Sequence, residues 1–309
     1  MFESLTPFGR MGAIVGGILV LATAVLALLS AVRPGADLAE LWARTRSWWV
    51  MAAVFFAAAG LGGWASLALF AFMSFWAMKE YVTLLPTRTA DHAALVLAFL
   101  AIPVQYLWVA IGWYGMFIVF IPVYMFLILP VRLVLSKETS GFVASASQIQ
   151  WGLMAFVFGL SHMSYLAKLT PRGSEADAGS LLLFLVFVVE ISDVLQYVWG
   201  KTMGRHRVVP TVSPNKTWEG LVGGVLSASA LALLLRFLTP FSPRETFGVA
   251  LLITVAGFFG GTVMSAVKRD FGVKDFGSLI PGHGGMLDRL DGLCYAAPVL
   301  FHYVRYFHT

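Results

Sequence analysis

The chain has 309 residues, of which 59% are hydrophobic and only 12% are charged. This composition excludes an ordinary soluble domain and is typical of a helical protein that crosses a membrane several times. The net charge of +5 is expected to reflect basic loops on one side of the membrane, and no nucleic-acid partner is expected. The single cysteine, Cys294, excludes an internal disulfide and a cysteine-based metal cluster.

Apolar stretches long enough to cross a bilayer follow one another along the whole chain. A spanning helix needs roughly 20 apolar residues, so the sequence predicts an all-α, polytopic membrane protein with about nine or ten transmembrane helices. The first stretch is long for a signal peptide and many more follow, so it is expected to be a retained helix. The spans are predicted near residues 12–32, 47–62, 64–85, 93–111, 113–135, 147–168, 180–199, 217–238, 245–267 and 291–307.

Two joints between spans can be placed from glycines. The apolar run 48–85 is too long to be one spanning helix, and Gly60-Leu61-Gly62-Gly63 lies inside it. We therefore predict a helical hairpin that turns at these glycines. A second short joint is predicted near Ile111-Gly112.

The orientation follows from the charges of the loops. Loops 200–216 and 268–290 are both basic, and two predicted spans separate them, so both lie on one side of the membrane. Basic loops favour the cytoplasm. Ten spans would place Arg33, Arg44 and Arg46 on that side too. We therefore expect an integral protein of a bacterial inner (cytoplasmic) membrane, with its polar site on the cytoplasmic face.

A first polar cluster runs from Glu190 to Gly220. Glu190 and Asp193 are three residues apart near the end of an apolar helix, so they face the same way. Ionisable groups within a span are costly and usually functional, although a helix end that emerges into water is the alternative. Ser213 is predicted to cap a helix that begins with Pro214.

The start of that predicted helix would offer free N–H groups beside Lys216. Such an arrangement favours the binding of a phosphate group. An interfacial helix anchored by Lys216 and Trp218 is the alternative interpretation.

A second polar cluster, Ser265–Asp291, stands out because everything around it is apolar. Carboxylates suit a divalent metal, Lys and Arg suit phosphate oxygens, and glycines let the backbone approach a ligand closely. The mixture predicts an active site that acts on phosphates. Its charged or titratable residues are Lys268, Arg269, Asp270, Lys274, Asp275, His283, Asp288, Arg289 and Asp291.

The spacing within this second cluster resembles a family signature. Ser265-x-x-Lys268-Arg269, Lys274-Asp275, Pro281-Gly282-His283-Gly284-Gly285 and Asp288-Arg289-x-Asp291 follow in order. Together they resemble the signature of CDP-diacylglycerol synthases, also called phosphatidate cytidylyltransferases.

The first cluster also resembles that family, with departures. Residues 213–220 read Ser-Pro-Asn-Lys-Thr-Trp-Glu-Gly, which is similar to the family motif Ser-Pro-Lys-Lys-Thr-x-Glu-Gly with Asn215 in place of a lysine. The helix end Ser192–Tyr197 departs from the family's Thr-Asp-Thr-x-Ala-Tyr and keeps only Asp193 and Tyr197. A divergent paralogue with a modified substrate is therefore one option.

The resemblance implies that CTP and phosphatidic acid are converted to CDP-diacylglycerol and pyrophosphate in phospholipid biosynthesis. The residues support such a reaction with a Mg²⁺ site, expected to hold two metals with the second ion's identity open. Asp288 and Asp291, three residues apart, would present two carboxylates on one helical face, and Asp193 would be a further ligand. The catalytic residues expected are Asp288, Asp291, Lys268, Arg269 and His283. The substrate-binding residues expected are Ser213, Lys216, Thr217, Lys274, Gly284, Gly285 and Arg289.

Two of these residues have alternative roles. His283 could orient phosphate, protonate the pyrophosphate leaving group or simply fill a turn. Asp275 could pair with a nearby cation or bind metal. The partners expected are CTP, a lipid phosphate and membrane lipids, and a homodimer is left open.

Other functions fit the same composition. A CTP-dependent lipid kinase, or a cytidylyltransferase acting on another lipid phosphate, would need a similar site. A transporter fits less well, because the charges gather at one face and no internal repeat is visible. We treat residues 1–309 as a single membrane domain, with an N-terminal helical part at about 1–146 and a catalytic part at about 147–309.

Overall fold

The computed structural model describes residues 5–33, 37–171 and 178–309. Apart from a two-stranded sheet, these residues fold into helices joined by short loops and by one longer loop, residues 271–286. The long helices are α1 Pro7–Val32, α2 Ala39–Gly60, α3 Gly63–Leu84, α4 His92–Ile111, α5 Tyr114–Val134, α6 Phe142–Leu166, α7 Ala178–Met203, α8 Trp218–Leu238, α9 Pro243–Asp270 and α11 Leu293–His308. The short elements are the 3₁₀ turn Thr89–Asp91, the helix α10 Leu287–Leu290 and the strands β1 Arg207–Val209 and β2 Ser213–Thr217.

The prediction of an all-α polytopic membrane protein is confirmed. Each predicted span coincides with a long helix, and 8 of the described helices are long and apolar enough to cross a membrane. The other two are α2 and α11, which has 16 residues. Helix α2 begins well before the predicted residue 47 because its first turns carry charged side chains, Glu40, Arg44 and Arg46, that a helix end accommodates at a membrane surface.

Both predicted glycine joints are confirmed. Helix α2 ends at Gly60 and α3 begins at Gly63. Between them Gly62 has a φ of +94°, a backbone conformation that glycine adopts without steric cost. Helix α4 ends at Ile111, and Gly112 terminates it in the left-handed conformation.

Inside the bundle, two amide side chains donate to backbone carbonyls of an irregular helix. Pro122 lies in a π-helical stretch of α5 and has no N–H to donate. Nearby, the Gln105 amide donates to the Phe117 carbonyl at 3.2 Å, and the Gln150 amide donates to the Ile121 carbonyl at 2.9 Å. These contacts tie α4 and α6 to the irregular helix between them.

Loop 268–290 lies at the end of the helix bundle where it contacts α2 and α3. The Ser47 hydroxyl of α2 donates to the Pro281 carbonyl at 2.8 Å. The backbone N–H of Met286 donates to the Glu80 carboxylate of α3 at 2.9 Å. Arg44 also packs against Gly282. The prediction that Arg44 lies on the same side as loop 268–290 is therefore confirmed.

The prediction that Ser213 caps a helix and that Pro214 lies in its first turn is wrong. Ser213 lies in β2, where it pairs with Val209 across an antiparallel hairpin. The helix α8 begins at Trp218, and its N-cap is Thr217, whose hydroxyl accepts from the Gly220 N–H at 3.1 Å. Pairing with β1 keeps the segment extended up to Thr217, so the second hydroxyl residue of the motif becomes the cap.

Candidate active site

The loop between α9 and α11, residues 271–291 and called here the signature loop, is built around the buried carboxylate of Asp288. Its Oδ2 accepts from the N–H groups of Phe276 and Gly285, both at 2.9 Å. Its Oδ1 accepts from Lys268 Nζ at 2.9 Å, and only 2% of the Asp288 side chain is exposed. Asp288 therefore holds two distant parts of the loop together and ties both to α9.

A tight turn follows within the same loop. The Ile280 N–H donates to the Gly284 carbonyl at 2.8 Å, and the His283 N–H donates to the Ile280 carbonyl at 2.9 Å. Gly284 has a φ of +81°, and a Cβ there would lie 2.8 Å from the Asp288 Oδ2. Glycine is required at this position by both conformation and space.

His283 and Arg289 each present a nitrogen without a partner. His283 Nδ1 and Arg289 Nε are buried and have no hydrogen-bond partner among the described residues. Burial lowers the pKa of His283, and the nearby Arg289 and Arg44 lower it further. The imidazole is therefore mostly neutral at neutral pH, which suits the orientation of a phosphate better than the donation of a proton.

The two polar segments of the sequence meet at Gly261 on α9. A Cβ placed on Gly261 would lie 3.3 Å from Lys216 Nζ and 3.6 Å from Asp291 Oδ2. Lys216 Nζ also donates to the Phe258 carbonyl at 3.1 Å and to the Thr262 hydroxyl at 3.0 Å. The structure thus brings Lys216 of the first cluster beside Asp291 of the second.

Further charges surround this meeting point. Asp291 interacts electrostatically with the cations Lys268, Lys216 and Arg289. Asp193 of α7 lies close enough to interact with both Asp291 and Lys216, and its side chain is exposed. We call the group Asp193, Lys216, Arg289 and Asp291 the charged cleft. It has carboxylates and cations from α7, β2 and the signature loop.

Other residues of the first cluster shape the hairpin. Glu219 accepts from the Arg205 N–H at 3.0 Å and contacts His206 Nδ1 at 2.6 Å. The Thr217 hydroxyl lies against Gly200, Gly204 and Gly220. These contacts fix the loop that leads from α7 into β1, so Thr217 has a structural role in helix capping, and its predicted role in substrate binding stays a prediction.

The remaining predicted site residues lie at the edge of the cleft or outside it. Arg269 Nε donates to the Val212 carbonyl at the tip of the hairpin, at 3.3 Å. Lys274 and Asp275 are exposed, and Ser213 is half-buried in β2. Their proposed contacts with substrate stay predictions.

The metal prediction can be compared with the available ligands. Among the described residues, no group of three or more His, Cys, Asp and Glu side chains is arranged to hold a metal ion. Asp288 is engaged with donors of the protein itself, whereas Asp193 and Asp291 face the cleft. Mg²⁺ is commonly held by one or two carboxylates together with substrate phosphates and waters, so these two carboxylates fit it. The Mg²⁺ site stays a prediction.

Sequence reasoning missed Glu80. This carboxylate of α3 is 7% exposed and accepts hydrogen bonds from the signature loop. The available signal was a pair of adjacent ionisable residues, Lys79 and Glu80, within the predicted span 64–85, since such residues are costly in a span unless they have partners.

The fold is that of a polytopic membrane protein, and the charged cleft brings carboxylates and cations together at one end of its helix bundle. The model of the "Cytidylyltransferase family" matches residues 42–307. The chain belongs to this family and is a nucleotidyltransferase.

Several curated proteins are similar in sequence to this chain. The chain is 41% identical over 290 residues to "Uncharacterized protein YnbB" of Escherichia coli K12, covering 94% of this chain and 95% of the relative. It is 34% identical over 170 residues to a phosphatidate cytidylyltransferase of Staphylococcus haemolyticus, covering 54% of this chain and 62% of the relative. It is 42% identical over 133 residues to a phosphatidate cytidylyltransferase of Brucella abortus, covering 42% and 48%.

Proposed function

We propose that the protein transfers the cytidylyl group of CTP to phosphatidic acid, giving CDP-diacylglycerol and pyrophosphate, at the cytoplasmic face of a bacterial inner membrane. The relatives named phosphatidate cytidylyltransferase support the substrates. The observation that carries the proposal is the meeting of Lys216 and Asp291, from two separate motifs, at Gly261. The basic loops at this end of the bundle support the cytoplasmic orientation.

The chemistry needs charge neutralisation more than a base. An oxygen of the lipid phosphate attacks the α-phosphorus of CTP, the bond from that phosphorus to the bridging oxygen breaks, and pyrophosphate leaves with the bond electrons. The nucleophile is already an anion, so the barrier lies in bringing two anions together. Lys216 and Arg289 would bind phosphate oxygens and lower this repulsion.

The carboxylates of the cleft would have a complementary role. Asp193 and Asp291 would hold Mg²⁺, which supplies positive charge to the phosphates when it is bound. His283, kept mostly neutral by burial, would orient a phosphate oxygen through its ring N–H. Asp288 would hold the signature loop in shape, since its oxygens are engaged with Lys268 and the loop backbone.

The test uses CTP labelled at two positions. Purified protein in detergent is mixed with phosphatidic acid and with CTP that carries label at either the α- or the γ-phosphate. We expect the α label to enter the lipid and the γ label to leave as pyrophosphate. Entry of the γ label into the lipid would instead identify a lipid kinase and overturn the proposal.

The acceptor is tested in the same assay. Phosphatidic acid is compared with other lipid phosphates at equal concentration, and Asp291→Asn serves as the inactive control. We expect phosphatidic acid to give the highest kcat/KM. A higher value with another lipid phosphate would keep the cytidylyl transfer but replace the proposed acceptor.

A further inference from the structure

The signature loop is also held from outside, by a carboxylate of the N-terminal helices. Glu80 lies near the end of α3, about 200 residues before the loop in sequence. Its Oε1 accepts from the Met286 N–H at 2.9 Å, and its Oε2 accepts from the Leu287 N–H at 2.8 Å. The indole N–H of Trp76 donates to Oε1 at 3.1 Å. Both oxygens of the carboxylate are therefore engaged.

The loop backbone encloses this carboxylate. A Cβ on Gly285 would lie 2.5 Å from Glu80 Oε2, and a Cβ on Gly277 would lie 2.6 Å from Glu80 Oε1. Any other residue at either position would push the carboxylate away. The loop glycines thus make room for Glu80, in addition to any room that they make for substrate.

The two N–H groups bound by Glu80 need an acceptor. Met286 and Leu287 stand at the start of α10, where backbone N–H groups have no partner within the helix. Leu287 is buried, so its N–H would otherwise be both unpaired and shielded from water, which is costly. No other carboxylate among the described residues accepts from these two groups.

Glu80 and Asp288 hold neighbouring parts of one short segment. Asp288 binds the Gly285 N–H from within the loop, and Glu80 binds the next two N–H groups from α3. Arg289 and Asp291 follow directly and belong to the charged cleft. The direction in which α10 begins therefore decides where these two side chains point.

We propose that Glu80 is a positioning residue for the nucleotidyl transfer, which fixes the start of α10 so that Arg289 and Asp291 face Lys216 and Asp193. This inference rests on the proposed function. Glu80 does not touch substrate in this proposal. It acts through the backbone of Met286 and Leu287.

The test compares Glu80→Gln with the wild-type protein. Glutamine has the same shape, but its NH₂ group meets an N–H donor and cannot accept from it. We expect the apparent KM for at least one substrate to rise about 10-fold and kcat to fall by a similar factor, as for the loss of a charge-assisted hydrogen bond. A smaller fraction of folded enzyme would lower the apparent kcat but leave KM unchanged.

Two further variants serve as controls. Glu138→Gln changes an exposed carboxylate at the same end of the bundle and is expected to keep wild-type KM values. Trp76→Phe removes one donor to Glu80 but leaves both backbone contacts, so its effect should be smaller than that of Glu80→Gln. An equal or larger effect of Trp76→Phe would contradict a role through α10.

Hydrogen exchange tests the same inference without any substrate. In Glu80→Gln, we expect faster exchange in the peptides that contain Met286 and Leu287, and unchanged exchange in α4 and α5. Unchanged exchange at α10 together with unchanged KM values would overturn the proposal. Faster exchange throughout the bundle would also overturn it, since Glu80 would then stabilise the fold as a whole.

The two proposals can fail separately. If the wild-type protein transfers no α label from CTP to any lipid phosphate, the proposed function fails, and the exchange at α10 still decides whether Glu80 holds the loop. If the wild-type protein is active and Glu80→Gln keeps both its kinetics and its protection, only the positioning role fails.

Discussion

Asp288 and Asp291 lie three residues apart in the signature loop but in different environments. Asp288 is surrounded by donors of the protein itself, namely Lys268 Nζ and the Phe276 and Gly285 N–H groups. Asp291 accepts from the Gly292 N–H through Oδ1, and its Oδ2 lies near Lys216 on the cleft side. The difference teaches that two carboxylates of one motif can have different roles. One shapes the loop, and the other is available to a ligand.

The largest effect is expected from Asp291→Asn, which removes a charge from the cleft with little change in shape. Turnover should fall about 100- to 1,000-fold, as when a group that stabilises transition-state charge is lost. The unfolding temperature in detergent should not change. The measurement is the transfer of the α label from CTP to lipid. Near-normal transfer would show that Asp291 has no role in the reaction.

Removal of divalent metal should have a comparable effect on turnover. After thorough chelation, activity should be lost and should return when Mg²⁺ is added, because oxygen ligands without cysteine suit this ion. Hydrogen exchange at Phe276 and Gly285 should stay the same, since Asp288 is bound to protein donors. Full turnover in the chelated enzyme would rule out the metal site.

Asp288→Asn should reduce both activity and stability. It breaks a buried ion pair with Lys268, and the loss of one partner from such a pair costs about 3 kcal/mol. Chemical unfolding in detergent measures this, with Asp275→Asn as a control on an exposed carboxylate of the same loop. If Asp288→Asn loses activity but no stability, Asp288 belongs with Asp291 and the division between them is wrong.

Lys216→Ala should weaken substrate binding more than the chemical step. Its ammonium group lies in the cleft, where burial lowers its pKa. Loss of one charge-assisted contact with phosphate should raise the apparent KM for CTP or lipid about 10-fold. Lys201→Ala, at an exposed position near the end of α7, is the matched control. Equal KM values in the two variants would place Lys216 outside the substrate site.

The smallest effect is expected from Gly261→Ala. The new methyl group would lie 3.3 Å from Lys216 Nζ, so the flexible lysine must move by a few tenths of an ångström. We expect kcat/KM to fall about threefold, because a small displacement of a charged group weakens its interaction with a phosphate. Gly248→Ala in the same helix meets no atom within 4 Å and should keep wild-type kinetics.

Much of the fold could be predicted because hydrophobicity and glycines act locally. The apolar lengths gave the positions of the helices, and Gly60–Gly63 and Gly112 marked two of the turns. The N-cap of α8 could not be predicted in the same way. Ser213 and Thr217 are both good caps, and only the pairing of Ser213 with Val209 across the hairpin decides between them.

The residue types of the site could be predicted from the sequence. The different roles of Asp288 and Asp291 could not. The spacing of Asp288 and Asp291 suggested two carboxylates on one face, as on a regular helix. Their surroundings differ because Asp288 is bound by Lys268 and by loop N–H groups, whereas Asp291 Oδ2 lies near Lys216, and spacing alone does not reveal these partners. The position of Glu80 in a predicted span indicated that it needs a partner, but its partners are backbone groups some 200 residues away, and no local pattern identifies them.

The close approach of α9 to the start of α11 has a consequence for how the enzyme tolerates change. A Cβ on Gly260 would lie 2.7 Å from the Asp291 carbonyl. The backbone of α9 therefore packs directly against the backbone that precedes α11. Backbone atoms keep their size when side chains are exchanged. We therefore expect substitutions among the lipid-facing residues to leave the spacing between α9 and Asp291 unchanged, because backbone contact sets it.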